Sequence, residues 1–411
     1  MRLLPTRAEL IEDFATPKDD LVAGLTVALV ALPLALAFGV ASGLGAESGI
    51  ITAILAGVIA AFFGGSRFQV SGPTGAMTVV LLPIVHQFGR DGVLAVGLMA
   101  GALLVTAAFA RIGEHVHRIP TAIIEGFTAG IAVVISLQQL PAALGVKVGA
   151  TEHVWQTAWL AVSDFAQANP LSLGLAVGCA ALILLGERLL PRVPFALVAL
   201  AVALAVTALA QLDVARIGAL PSLLAAPSAG FTQAADWLRL APSALAVATL
   251  AALESLLSAK VADRLAAAPQ RHDSNRELFG QGLANLVVPF FGGVPATAAL
   301  ARTAVNVRSH AHSRLAAISH AVLLAAVVMA LPGLVSQIPL SALAGVLFAT
   351  TARMIKPSEL LALARESRLD ALLLIATFAM TIALDLISAV IVGLVLFLLL
   401  RRTALAGADR R

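Results

Sequence analysis

Long apolar runs fill this sequence almost from end to end. One of them, residues 372–384 (LLLIATFAMTIAL), is continuous and shows no alternation of polar and apolar positions. A helix that crosses the ~30 Å hydrocarbon core of a bilayer needs roughly 20 such residues. Lipid admits only helices or closed barrels, because every backbone polar group must find its partner within the protein. The continuous runs therefore predict membrane-spanning helices.

Composition supports the same class of protein. Of 411 residues, 60% are hydrophobic and 12% are charged, whereas about a quarter are charged in ordinary soluble domains. The net charge of +4 is explained by cytoplasmic loops, which collect Lys and Arg in membrane proteins, so no nucleic-acid partner is predicted. The single cysteine, Cys179, excludes a disulfide framework.

Charged and Pro/Gly-rich breaks divide the apolar runs into fourteen predicted spans. Those of the first half are residues 21–40, 48–64, 74–88, 93–111, 121–141, 171–187 and 193–211. Those of the second half are residues 243–263, 275–290, 296–307, 315–331, 340–354, 369–384 and 386–400. Residues 153–168 have mixed polarity and predict an interfacial segment. The predicted domains are a cytoplasmic segment (1–20), the first repeat (21–211), an extracytoplasmic linker (212–242), the second repeat (243–400) and a cytoplasmic tail (401–411).

The distribution of positive charge tests this division. With the N-terminus in the cytoplasm, 22 of the 27 Lys and Arg residues fall on the inner side and one, Arg302, falls within a span. The four on the outer side are Arg90, Lys147, Arg216 and Arg239. A missed span would reverse every later loop and destroy this asymmetry. We therefore predict a multi-pass protein of the cell inner membrane with both termini in the cytoplasm.

Two short patterns occur in both halves. The sequence Phe-Phe-Gly-Gly at 62–65 returns at 290–293 and closes the second span of each half. The pair Ile-Pro at 119–120 returns at 338–339 and opens the fifth span of each half, with a glycine six residues after each proline. Because each half has seven spans, an odd number, the second half must be inverted in the membrane. This is the plan of many secondary transporters.

The third span of each half is too short to cross the bilayer as a helix. Residues 71–75 (SGPTG) precede a helix of roughly 15 residues, and residues 292–297 (GGVPAT) precede one of roughly 12. A proline is expected in the first turn of each, where its missing N–H costs nothing. Inverted topology then directs the two helix N-termini at each other near the midplane. Two positive dipole ends with free N–H groups favour a bound anion.

Two charged residues lie within predicted spans. Arg302 follows the second break, and an arginine at this depth usually faces a cavity or a partner. Glu254 lies in the middle of the eighth span, where an ionised carboxylate is costly, so it is a candidate proton carrier. Five histidines fall in cytoplasmic loops without a metal-ligand pattern, so neither a metal nor a cofactor is predicted: His115, His117, His272, His310 and His312.

Three segments follow one another in the sequence: Pro-Leu-Ala-Leu-Ala-Phe at 33–38, residues 63–67 leading to 72–75, and residues 289–293 running on to 302–303. In this order they resemble the SulP family of anion transporters (solute carrier family 26), and the resemblance covers essentially the whole chain. The resemblance implies an all-α fold in which a core domain (spans 1–4 and 8–11) moves against a gate domain (spans 5–7 and 12–14). It implies Glu254 as the coupling carboxylate. The substrate site that it implies consists of Phe38, Thr74, Gly75, Ala76, Leu300, Ala301 and Arg302.

Two departures from the family bear on function. Sodium-coupled bicarbonate members have an aspartate with a nearby threonine, where this chain has Glu254 and Ser258, which favours a proton over sodium. Family members usually continue into a STAS domain, which is not expected within these 411 residues; a natural short form and a truncated sequence both stay open. A homodimer is left open.

The predicted function is secondary transport of a small anion such as a dicarboxylate (fumarate, for example), bicarbonate or sulfate. Symport and exchange stay open. A nucleobase–proton symporter of the same fold is the alternative, although Arg302 favours an anion. A channel is less favoured because no filter or ring of like charge is visible. The predicted spans contain no nucleophile–base pair or metal cluster, so an enzyme is not predicted.

Overall fold

The computed structural model describes residues 4–6, 9, 17–114, 120–149, 154–191, 193–218, 226–233, 235–267 and 271–383. The fourteenth predicted span (386–400), the tail (401–411) and most of the N-terminal segment lie outside the described residues. So do His115, His117 and parts of the linker at 212–242.

The described chain is almost entirely helical and follows the predicted order of spans. The helices of the first half are α1 (Pro17–Ala41), α2 (Ala46–Phe63), α3 (Gly75–Phe109), α4 (Thr121–Leu144), α5 (Val154–Ser163), α6 (Pro170–Leu189) and α7 (Phe195–Leu209). Those of the second half are α8 (Trp237–Leu265), α9 (Ser274–Val287), α10 (Leu300–Arg308), α11 (Arg314–Ala330), α12 (Pro332–Ser336), α13 (Leu340–Met354), α14 (Pro357–Glu366) and α15 (Arg368–Ala383). Short 3₁₀ turns lie at Phe165–Gln167, Gly230–Thr232 and Val288–Phe291.

These helices account for the thirteen predicted spans that the structure describes. The third and fourth spans form the two parts of α3, which breaks at Gly89 with φ 68° and ψ −169°. The interfacial segment contains α5 and the turn after it. In the described part of the chain, six helices are long and apolar enough to cross a membrane: α1, α2, α3, α4, α6 and α8.

The helices form two groups that correspond to the predicted core and gate domains. In the core group, α11 packs on α1 and α2, while the second part of α3 packs on α8 and α9. In the gate group, α15 packs on α4 and α13 packs on α6. If each helix is replaced by its counterpart in the other half of the chain, every one of these helix contacts becomes another of them. This correspondence between the halves is what the predicted inverted repeat requires.

The role predicted for the two prolines in the breaks is wrong. Pro73 precedes Thr74, which is the N-cap of α3, and Pro295 lies five residues before the first residue of α10. The chain stays extended here because short strands form in the breaks and delay the start of each helix. Arg302 is consequently the third residue of α10 and lies in its first turn.

Candidate functional site

The two breaks meet in a small antiparallel sheet in the middle of the core group. Strand β1 (Ser71–Gly72) pairs with β2 (Thr297–Ala298), with Ser71 opposite Ala298 and Gly72 opposite Thr297. One strand leads into α3 and the other leads towards α10. Since the strands are antiparallel, the two helices begin close together and run apart. We call the two strands and the first turns of α3 and α10 the crossover.

Buried side chains satisfy the extended backbone of the second break. Asn285 of α9 makes two hydrogen bonds to Ala296: its Nδ2 donates to the carbonyl oxygen and its Oδ1 accepts from the N–H, at 2.9 and 2.8 Å. Thr52 of α2 donates to the carbonyl oxygen of Val294 at 2.9 Å. Backbone groups left unpaired in an apolar environment would be costly, so these side chains make the break stable inside the membrane.

The first break is held by the opposite half of the chain. Thr303 Oγ1 accepts from the Val70 N–H at 3.1 Å, and Asn306 Nδ2 donates to the Phe68 carbonyl at 2.8 Å. Both residues belong to α10. Gln281 of α9 donates to the Ser71 hydroxyl at 2.7 Å. The second half of the chain therefore shapes the backbone of the first.

Thr74 connects the start of α3 to Glu254. Its hydroxyl oxygen accepts from the Met77 N–H at 3.4 Å, which caps the helix, and its hydroxyl proton is donated to Glu254 Oε2 at 2.8 Å. Glu254 lies in the middle of α8 and is partly buried. The carboxylate thus stands at the N-terminus of α3, where the helix dipole favours negative charge.

Arg302 is turned into the core group and does not extend to the membrane surface. The residue is 1% exposed, and its Nη2 donates to the Pro73 carbonyl at 2.8 Å. A Cβ atom on Gly72 would lie 2.7 Å from Arg302 Nη1, and Gly72 has φ +153°. Only glycine at this strand position leaves space for the guanidinium group. Its positive charge is therefore fixed directly behind β1.

The remaining predicted site residues differ in exposure between the two helices. Phe38 (7%), Gly75 and Ala76 are buried, and a Cβ atom on Gly75 would lie 2.3 Å from Ile135 of α4. Leu300 is 50% exposed and Ala301 is also exposed. The gate group covers the start of α3, whereas the start of α10 is open.

Ser258, the second residue of the predicted coupling pair, contacts a different group. Its hydroxyl donates to Thr303 Oγ1 at 3.2 Å, one turn along α8 from Glu254. Thr303 in turn accepts the Val70 N–H. Ser258 therefore supports the backbone of the first break.

The polar residues of α9 were missed from the sequence. Glu277, Gln281 and Asn285 are spaced by four residues and lie on one face of the helix. Glu277 accepts from the N–H groups of Gly65 and Ser66 at 3.0 and 3.1 Å. Their spacing could have revealed them in the sequence. Polar residues that form one stripe on a helix within an apolar span normally face protein and not lipid.

The paired breaks, the inverted packing and the buried arginine define a multi-pass membrane transport protein. The sulfate permease family matches residues 18–377, and the chain belongs to this family of anion transporters. A putative sulfate transporter of Bacillus subtilis (strain 168), YvdB, is 37% identical over 387 residues, which cover 92% of this chain and 72% of that protein. The bicarbonate transporter BicA of Picosynechococcus is 33% identical over 401 residues, covering 92% of this chain and 69% of that protein.

Solved structures show the same fold. The transmembrane domain of a cyanobacterium bicarbonate transporter BicA matches with a TM-score of 0.84 and 30% identity, covering 92% of this chain and 98% of that one. The murine solute carrier 26 family member A9 anion transporter matches with a TM-score of 0.87 and 17% identity, covering 98% of this chain and 71% of that one. The predicted family, fold class and transporter class are thereby confirmed.

Proposed function

We propose that this protein carries a small anion together with a proton, by alternating access, through a site at the crossover. The observation that carries the proposal is the pairing of β1 with β2, which brings together the N-termini of α3 and α10. The substrate class is a small inorganic or carboxylate anion such as sulfate, bicarbonate or fumarate. Relatives named as sulfate and bicarbonate transporters support this class.

The charges around the crossover support an anion rather than a neutral nucleobase. Both helix N-termini carry positive partial charge and N–H groups that helical bonding leaves free. The guanidinium of Arg302 adds a full positive charge behind β1. The exposed residues Leu300 and Ala301 let an anion approach the first N–H groups of α10. Phe38, Thr74, Gly75 and Ala76 form the facing wall in this proposal.

The bond between Thr74 and Glu254 supports proton coupling. While Glu254 is ionised, its negative charge occupies the start of α3 and repels an incoming anion. Protonation removes this charge and lets the Thr74 hydroxyl donate to the substrate instead. Proton and anion therefore bind best together, which is the requirement for symport.

The unequal exposure of the two helix starts supports an alternating-access cycle. Ile135 of the gate group covers Gly75 at the start of α3, whereas Leu300 is half exposed. Positive charge in the loops predicts that α10 leads from the crossover to the cytoplasm, where Arg308 lies. In this orientation, with both termini inside the cell and the protein in the inner membrane, the exposed start of α10 is the proposed point of entry for an anion from the cytoplasm. The homodimer stays a prediction, which the mass of the purified protein in detergent tests.

Uptake by proteoliposomes tests the proposal. Purified protein is reconstituted, and labelled sulfate, bicarbonate, fumarate and uracil are offered with and without an inward proton gradient. We expect one or more of the anions to accumulate, more strongly with the gradient, while uracil does not. Accumulation of uracil alone, or anion uptake that ignores the gradient, would overturn the substrate class or the coupling, respectively.

A further inference from the structure

A histidine lies buried in the core group, away from the five histidines of the predicted cytoplasmic loops. His320 is in the first half of α11 and is 0% exposed. Its Nδ1 lies 3.3 Å from the carbonyl oxygen of Ala317, and its Nε2 has no hydrogen-bond partner among the described residues. Ionisable side chains at membrane depth usually have a function or a specific partner.

Arg302 is also incompletely bonded. Nη2 donates to Pro73, but the Nε and Nη1 groups have no hydrogen-bond partner within the part of the chain that the structure describes. Each buried polar group without a partner is costly, and such groups are usually satisfied by protein or by ordered water. Two buried side chains of the core group therefore each have unused hydrogen-bonding capacity.

The two side chains lie against successive turns of α2. A Cβ atom on Gly72 would lie 2.7 Å from Arg302 Nη1 and 3.2 Å from the Cα atom of Ala53. A Cβ atom on Gly57 would lie 3.7 Å from His320 Cε1. Ala53 and Gly57 are one helical turn apart, which is about 6 Å along α2. The guanidinium and imidazole groups thus lie against neighbouring turns of α2, and the described residues show no hydrogen bond between them.

The chemistry of the two groups is complementary through water. An arginine has only donors, whereas a neutral histidine that is protonated on Nδ1 has a lone pair on Nε2. Water can accept from Arg302 and donate to Nε2 of His320, and buried waters typically serve such groups. We propose that one ordered water joins the two side chains and that His320 positions the Arg302 guanidinium behind β1. This inference rests on the proposed function, in which that charge attracts the anion.

A double-mutant cycle on anion affinity tests the proposal. Dissociation constants for sulfate and bicarbonate are measured on purified protein for wild type, His320→Leu, Arg302→Ala and the double variant. The loss of one charge-assisted hydrogen bond predicts about tenfold weaker binding for His320→Leu. His320→Gln keeps a neutral hydrogen-bond acceptor, so this variant should lose less affinity than His320→Leu. Ser319→Ala is the matched control, because Ser319 is the neighbouring buried polar residue on α11 and bonds Ala316 and Asp20 instead.

The pattern of the cycle separates positioning from structural support. In the Arg302→Ala background, we expect His320→Leu to cause no further loss, because no guanidinium is left to position. If the losses of affinity from the two substitutions add in the double variant, or if His320→Leu binds as the wild type does, the proposal for His320 is overturned. Neither result would affect the proposed anion site. Unchanged affinity in Arg302→Ala would overturn both that proposal and the role of Arg302 in the site.

A density map of the wild-type protein that resolves ordered waters tests the bridge independently of transport. A water peak within hydrogen-bonding distance of Arg302 and His320 supports the proposal, even if neither sulfate nor bicarbonate binds. A direct contact between the two side chains, or a dry gap, would overturn it.

Discussion

The hydroxyl of Thr74 donates a 2.8 Å hydrogen bond to Oε2 of Glu254. This bond joins the capping residue of α3 to a carboxylate in the middle of α8. Because the same hydroxyl oxygen accepts from Met77, a change in the protonation of Glu254 acts on the start of α3. In the proposed cycle, the proton and the anion are linked through this one side chain.

Removal of the Thr74 hydroxyl is expected to weaken anion binding. Thr74→Val keeps the volume but can neither cap α3 nor donate to the anion, so we expect about a tenfold loss of affinity, the usual effect of one hydrogen bond to a charged group. Thr74→Ser keeps the hydroxyl group and should therefore keep most of the wild-type anion affinity. Titration of purified protein with sulfate and bicarbonate measures the effect. Thr78→Val is the matched control, since the Thr78 hydroxyl donates to the Gly75 carbonyl one turn away within α3. Equal effects at both positions would contradict a specific role of Thr74.

A methyl group on Gly72 is expected to displace Arg302. In Gly72→Ala, the new Cβ atom would lie 2.7 Å from Arg302 Nη1, at a residue with φ +153°. Backbone strain of this kind costs about 1–3 kcal/mol, so the melting temperature in detergent should fall and anion affinity should fall with it. Gly174→Ala in α6 is the control, because its Cβ atom would meet nothing within 4 Å. A melting temperature equal to that of the control would show that the strand position does not require glycine.

The proposed orientation predicts on which side single cysteines react. In a Cys179→Ala background, Arg271→Cys should react with a membrane-impermeant maleimide only from the cytoplasmic side. Lys147→Cys should react only from the opposite side. Both positions are exposed, whereas Cys179 is buried. Labelling of Arg271→Cys from outside would reverse the orientation of the second half.

A contact between the N-terminal segment and α9 predicts a pH dependence of stability. Arg276 Nη1 donates to both carboxylate oxygens of Glu9 at 3.1 and 3.0 Å. Burial of Glu9 opposes its ionised form, but the Thr6 N–H together with the charges of Arg276 and Arg314 outweighs burial and lowers the pKa of Glu9. A lowered pKa means that this contact stabilises the fold above the ordinary glutamate pKa of about 4.3 and is lost as the pH falls through the lower folded value.

Glu9→Gln should therefore lower the melting temperature at neutral pH and have a smaller effect at about pH 3, below the ordinary glutamate pKa. Glu359→Gln is the control, because Glu359 pairs with Lys356 on the exposed surface, where ion pairs contribute little. A Glu9→Gln effect that is the same at both pH values would contradict the assignment to the ionised carboxylate.

The sequence was sufficient to predict the spans and the existence of the crossover. Apolar runs and charge asymmetry locate helices because lipid imposes one simple requirement on the backbone. The matched breaks at 71–75 and 292–297 located the crossover for the same reason: a short helix leaves extended backbone that must be buried in protein.

The partners within the crossover could not be predicted in this way. The Thr74–Glu254 and Asn285–Ala296 bonds join residues whose approach depends on how α3, α8 and α9 pack. Arg302 was expected to face a cavity or a partner. The partner is the Pro73 carbonyl, which becomes available because the strands delay the start of both helices. His320 was passed over because one histidine in an apolar helix carries no pattern.

Proton-driven accumulation by Glu254→Gln proteoliposomes tests the central claim most directly. Glutamine keeps the volume of the side chain and resembles the protonated carboxylate, so the variant should still bind and exchange labelled anion. It should no longer accumulate the anion under an inward proton gradient, which the wild type does. If Glu254→Gln folds, exchanges the anion and still accumulates it as the wild type does, the carboxylate does not carry the proton and the proposed coupling is wrong.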